Sequence, residues 1–271
     1  MEISVKQRAH TNPDYPASNA QVREVIERLR ANPKMPVRPV VILTGYHSPR
    51  AQGEYLRRML LRLTSPGAPI TTAAYMTRVD MPSICRDAME QVRGHVGDGP
   101  LDLVGISMGG LIARVISTDA ALPSTAGTIA ARVPVNTRRI FTLASPHCGA
   151  LLADRVALDP AAKDMQRGSA FLGALDAALR GGGGNPAVEL TCYSRLRDGW
   201  VGAKQAAPAG QGVIWTPGVL WGSHLSVSWD RRILADLALR LRGEVYAPAS
   251  AGTSTRPSAS IRTGTASRLS P

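Results

Sequence analysis

Apolar positions along this chain follow two alternating rhythms. Short, mostly apolar runs rich in β-branched residues occur at 37–43, 70–75, 101–106, 138–143, 188–193 and 212–215. Bounded by Gly, Pro and Asn, such runs read as buried strands. Between them, apolar residues recur at three- and four-residue spacing, the period of a helix with one buried face. Val22, Val25, Ile26 and Leu29 predict a helix from Ser18 or Asn19 to about Ala31, stopped by Asn32-Pro33. Leu56, Met59, Leu60 and Leu63 predict a second over 52–63, and Pro82 opens a third over 82–96. A fourth covers 108–116, and 150–179 reads as mostly helical with a break at Asp159-Pro160. Ile233, Leu234, Leu237 and Leu241 mark a last helix over 225–241.

Strands alternating with helices predict an α/β architecture, a mostly parallel central sheet with helices on both faces. One domain over 1–246 accommodates all of it, and the insertion at about 150–186 forms a small helical cap. The last stretch, 247–271, is Ser-, Thr- and Arg-rich with little apolar bulk, and it predicts a disordered tail. In open parallel sheets the active site lies at the carboxyl ends of the strands.

One strand end stands out. The run 101–106 passes directly into Gly105-Ile106-Ser107-Met108-Gly109 and then into a helix. G-x-S-x-G between a strand and a helix is the nucleophile elbow. A serine on so sharp a turn crowds its neighbours two residues away, so Gly105 and Gly109 carry no Cβ. The Met108 backbone N–H, at the helix N-terminus, then points at the oxygen that becomes negative when an acyl carbonyl is attacked. A second donor is expected from the loop after strand 37–43, where the choice is the backbone N–H of Tyr46, with Gly45 allowing close approach.

A serine hydroxyl needs a base, and the base an orienting carboxylate. The five histidines are His10, His47, His95, His147 and His224. His47, His147 and His224 follow strands, and chain order favours His224, because the elbow fold runs nucleophile, acid, histidine. Among Asp119, Asp154, Asp159, Asp164, Asp176 and Asp198, the last directly follows a strand and sits before Gly199 in a tight loop. Asp102, inside the central strand, reads as a solvated or salt-bridged residue.

Composition narrows the picture further. The chain has 271 residues, 44% hydrophobic and 19% charged, and a net charge of +12. That charge is spread thinly, with no basic run interleaved with aromatics, so nucleic-acid binding is not expected. Weak contact with an anionic membrane surface remains compatible with it, and nothing indicates an oligomeric state. Cys85, Cys148 and Cys192 are widely spaced and read as reduced thiols, although Cys148 and Cys192 both lie near strand ends where a disulfide could form. No metal or organic cofactor is implied. The first residues lack the apolar core of a signal peptide and no run is long enough to span a membrane, so the expectation is a cytoplasmic protein.

Five segments together resemble the α/β-hydrolase superfamily: LVGISMGGLIAR (103–114), TLASPHCG (142–149), DMQRGSAFL (164–172), YSRLRDGWV (193–201) and SHL (223–225). Within it they resemble bacterial lipases and esterases, similar to triacylglycerol lipases and to the hydrolase domain of GPI inositol-deacylase. The resemblance implies the α/β-hydrolase fold, ester hydrolysis by Ser107, Asp198 and His224, and a site-proximal structural role for His147. Two departures are Thr44-Gly45, where the group has His-Gly, and Ser145-Pro146-His147, where it has Thr-Pro-His. The expected substrate is a small-molecule or lipid ester, with Met165 and Phe171 of the cap as candidate lining of an acyl pocket. The same triad would serve an acyltransferase or an amidase, and a hydrolase-like interaction protein is the non-enzymatic alternative.

Overall fold

The computed structural model describes Tyr15 and residues 17–180, 188–219 and 222–246. The expected tail and the end of the cap insertion, 181–187, lie outside the described residues. Up to the elbow the elements are α1 (Asn19–Ala31), β1 (Val40–Leu43), α2 (Arg50–Leu61), β2 (Ile70–Ala73), α3 (Met81–Val96), β3 (Leu101–Ile106) and α4 (Met108–Ile116). Then come β4 (Leu122–Ser124), β5 (Gly127–Ile129), β6 (Thr137–Leu143), α5 (Leu151–Arg155), α6 (Pro160–Asp164) and α7 (Ala170–Arg180). The last are β7 (Glu189–Arg195), β8 (Val213–Thr216), a 3-10 turn at Leu225–Trp229 and α8 (Arg231–Leu241).

Six strands form one sheet in the order β2-β1-β3-β6-β7-β8, every neighbouring pair parallel. Both faces are covered, which is why the strands read as apolar runs rather than alternating ones. Successive side chains still point to opposite faces. Val41, Leu43, Leu101 and Leu103 pack with Met81, Ile84, Leu111 and Leu175 of α3, α4 and α7. Val40, Ile42, Val104 and Ile106 pack with Leu29, Leu56, Leu60 and Leu237 of α1, α2 and α8. Helix starts are chemically specified. Ser18 and Gln21 form a capping box on α1, Asp80 caps α3 beside Pro82, and Asp230 caps α8.

The structure differs from the sequence expectations at four places. The first strand begins at Val40 rather than Val37, because Val37 is exposed and its N–H bonds Leu241 O outside the sheet. The stretch expected as mostly helical is three separate helices, and Asp159-Pro160 starts α6, with Asp159 Oδ1 accepting from Ala162 N. The last helix starts at Arg231, since Leu225–Trp229 is a 3-10 turn ended by the Asp230 cap. The β4–β5 hairpin was not anticipated. Its Ser124 and Thr125 hydroxyls and the Thr125 N–H donate to buried Asp164, which fastens the hairpin to the cap.

Asp102 is fully buried in β3 and salt-bridged. Arg139 and Arg38 both donate to its carboxylate. All three cysteines are free thiols, so no Cys148–Cys192 disulfide forms. Burial pushes the Cys85 thiol up to about 12 and the Cys192 thiol up to about 11, so both stay protonated near neutral pH.

Candidate active site

The turn between β3 and α4 has the geometry expected of an elbow. Ser107 sits at φ 52 and ψ −124, a strained conformation for a residue with a Cβ. The turn is held by Ser107 N donating to Leu143 O at 2.8 Å and Gly110 N donating to Ser107 O at 3.0 Å. The glycines are required by space. A Cβ on Gly105 would lie 2.3 Å from Gly110 backbone, and one on Gly109 would lie 2.2 Å from Leu43 O. A Cβ on Gly110 would meet Ser145 Oγ at 2.1 Å, so the third glycine is close-packed too, against side chains rather than backbone.

His224 reaches this serine from 117 residues away in the chain, with Nε2 3.0 Å from Ser107 Oγ. Its Nδ1 lies 2.8 Å from Asp198 Oδ2. The other Asp198 oxygen accepts the N–H groups of Trp200 and Val201 at 2.9 and 3.0 Å. This division fixes the tautomer: an Nδ1–H donates to the carboxylate, leaving Nε2 to accept the serine proton. The loops carrying Asp198 and His224 are fastened together. Ser223 Oγ donates to Leu196 O at 2.7 Å, and Gly218 packs so tightly on Leu196 that a Cβ would fall 1.5 Å from its carbonyl oxygen.

The other strand-end histidines are committed elsewhere. His47 bonds Asp159 through Nε2 and Met76 O through Nδ1. His147 is buried, its Nδ1 accepting from Arg114 and its Nε2–H donating to Thr142 Oγ1. Burial, and then the neighbouring Arg114 charge, hold its pKa well below the usual 6.5. It therefore stays neutral and supports the elbow helix from behind. Gly45 lies beside Ser107: a Cβ there would be 3.3 Å from Ser107 Cβ. The loop is pinned by Tyr46, whose hydroxyl donates to Asp159 Oδ2 at 2.7 Å. Burial and then that contact raise the Tyr46 phenol above its ordinary range.

A cavity of ≈ 120 Å³ opens on the serine and the histidine. The cap lines one wall with Ala150, Leu152, Ala153, Val156, Ala162 and Met165. Of the two cap residues expected in an acyl pocket, Met165 is there and Phe171 is in the core. Several lining residues were missed from sequence, three of them beside the serine–histidine pair or on a neighbouring helix. Gln52 comes from α2, and Leu225 directly follows His224. Trp200 stacks on the His224 ring, centroids 5.0 Å apart and planes at 27°, and its carbonyl accepts the N–H of Leu152 in the cap. The only sequence signal for Trp200 was its position two residues after Asp198. Among the described residues, no group of three His, Cys, Asp or Glu could hold a metal, and no helix is long and apolar enough to cross a membrane.

No family model matches this sequence, and no curated relative matches it either. Solved structures do. A metagenomic carboxyl esterase is 12% identical, with 89% of this chain and 94% of that one covered at a TM-score of 0.51. A Bacillus licheniformis lipase in its mature form is 13% identical over 73% of this chain and 89% of that one, with a TM-score of 0.49. The product of the lin2722 gene of Listeria innocua is 14% identical over 73% of this chain and 90% of that one, also at 0.49. From the parallel sheet, the serine turn between its third strand and the following helix, and the likeness to the metagenomic protein, the conclusion is that this chain has the α/β-hydrolase fold.

Proposed function

We propose that the protein is a serine hydrolase that cleaves carboxylic esters through a Ser107–His224–Asp198 triad and an acyl-enzyme. The observation that carries this reading is the unbroken relay from Asp198 Oδ2 through His224 to Ser107 Oγ, opening on an apolar cavity. His224 takes the Ser107 proton as the oxygen attacks the ester carbonyl, and Asp198 stabilises the imidazolium that forms. The N–H groups of Met108 and Tyr46 receive the oxyanion. Collapse expels the alcohol with a proton from His224, and water activated by the same imidazole releases the acid. The carboxyl esterase of the same fold at a TM-score of 0.51 agrees with this reading.

The cavity sets the expected acyl preference. An apolar cavity of about 150 Å³ holds a benzene ring, so ≈ 120 Å³ holds a short acyl chain. Each methylene that enters gains about 0.8 kcal/mol, about fourfold in kcat/KM, and those beyond the cavity gain little. A series of p-nitrophenyl esters from acetyl to dodecanoyl should rise over the first members and then level off. Ser107→Ala should abolish the rate throughout. A rate retained by Ser107→Ala would overturn the proposal.

A further inference from the structure

A second cleft, of ≈ 500 Å³, lies between the starts of α1 and α8. Four arginines line it, Arg23, Arg195, Arg231 and Arg232, against one carboxylate, Asp230. That carboxylate is already engaged. It takes a hydrogen bond from Thr216 Oγ1 at 2.9 Å, caps α8 through Arg232 N, and faces Arg195 at 3.4 Å. Arg195 is held rigidly by Pro217 O and Ser226 Oγ, and Arg232 by Asn19 Oδ1. Among the described residues, Arg23 and Arg231 have no hydrogen-bond or ion-pair partner. The cleft therefore gathers positive charge that its own residues leave unneutralised, and Arg guanidinium is the side chain best matched to paired phosphate oxygens.

Two elements run from the catalytic cavity toward this cleft. The 3-10 turn after His224 places Leu225 in the cavity and Trp229 in the cleft. At about 2 Å per residue these are about 8 Å apart along the turn. On α2, Gln52 lines the cavity, and Tyr55, one turn on along the same face, touches the Trp229 ring with centroids 5.5 Å apart. Leu225, Trp229 and Tyr55 are all exposed, so these two elements offer apolar side chains to a molecule lying along them.

We infer that the arginine cleft binds a phosphate group, and that the substrate class is an ester carrying a phosphate beyond an apolar spacer. The ester half rests on the serine-hydrolase reading, whereas anion binding stands without it. The ester would lie at Ser107, the spacer on Leu225, Trp229 and Tyr55, and the phosphate between Arg23 and Arg231 above Arg195. Either a soluble phosphorylated ester or a phospholipid headgroup supplies this chemistry.

The test is calorimetric binding of inorganic pyrophosphate at low salt to the intact protein and to an Arg23→Ala/Arg231→Ala variant. Both side chains are exposed, and an unchanged melting temperature checks the fold. The expected result is binding that weakens with added salt and falls at least about tenfold in the double variant. A parallel arm cosediments both proteins with phosphatidylcholine vesicles, with and without phosphatidic acid. Arginine-dependent capture by the acidic vesicles assigns the phosphate to a lipid headgroup, and no capture alongside pyrophosphate binding assigns it to a soluble ester. Absence of binding in both arms, or binding that survives the double substitution, overturns the inference. Neither result depends on Ser107, so failure here is distinct from failure of the hydrolase reading.

Discussion

Ser107 occupies a backbone conformation that costs on the order of 1–3 kcal/mol and persists only where its surroundings enforce it. Here they are close-packed glycines. Gly109 faces the carbonyl oxygens of Leu43 and Thr44 at distances no Cβ tolerates. Gly109→Ala should therefore push α4 off the sheet, lower stability by about 1–3 kcal/mol and abolish ester turnover, as thermal melting and an ester assay would show. This constraint was legible in sequence as G-x-S-x-G. Gly110 and Gly218 were not, because a glycine outside a motif gives no sign of which neighbour will approach it. His224, chosen from chain order, lies 3.0 Å from Ser107, whereas the tethering of His47 to Asp159 depends on cap geometry that no local pattern encodes.

At the scale of elements, β3 illustrates how a polar residue can sit in a buried strand. Asp102 is fully buried and receives Arg139 from the neighbouring strand, paired in register, and Arg38 from just before β1. Removing one partner of a buried pair leaves the other charges uncompensated. Asp102→Ala should cost about 3 kcal/mol in urea denaturation, while the folded fraction keeps its activity, because the residue is at the opposite end of β3 from Ser107. The sequence pattern located all six strands of the sheet, since a parallel strand buried on both faces is apolar throughout. It missed the β4–β5 hairpin, whose three-residue strands are too short for any period and which Asp164 fastens from 39 residues away. In the cap it placed a break at Asp159-Pro160 but not the second one, between α6 and α7, because Ala and Leu favour helix wherever the breaks fall.

For the molecule as a whole, stability should depend on pH through His147. Burial and Arg114 keep it neutral in the folded state far below its usual 6.5. In the unfolded chain it takes up a proton near that value, so the unfolded state binds more protons and stability falls as pH drops below about 6.5. The slope should be about 1.4 kcal/mol per pH unit until the folded group itself titrates, and it should be flat above. Urea denaturation of the wild type and of His147→Gln at about pH 7.5 and about pH 5.5 isolates this contribution as the difference between the two proteins. The overall architecture was readable from alternating periods alone. The placement of Leu225 in one cavity and Trp229 in the other was not, because it depends on that segment forming a 3-10 turn instead of opening the last helix.

If Ser107 is an activated nucleophile, reaction with a fluorophosphonate probe followed by peptide mass spectrometry reveals it without any assumption about substrate. One adduct is expected, on Ser107, and it should be lost in His224→Ala. Folded protein that takes up no probe, or an adduct on Ser107 that persists undiminished without His224, would contradict it.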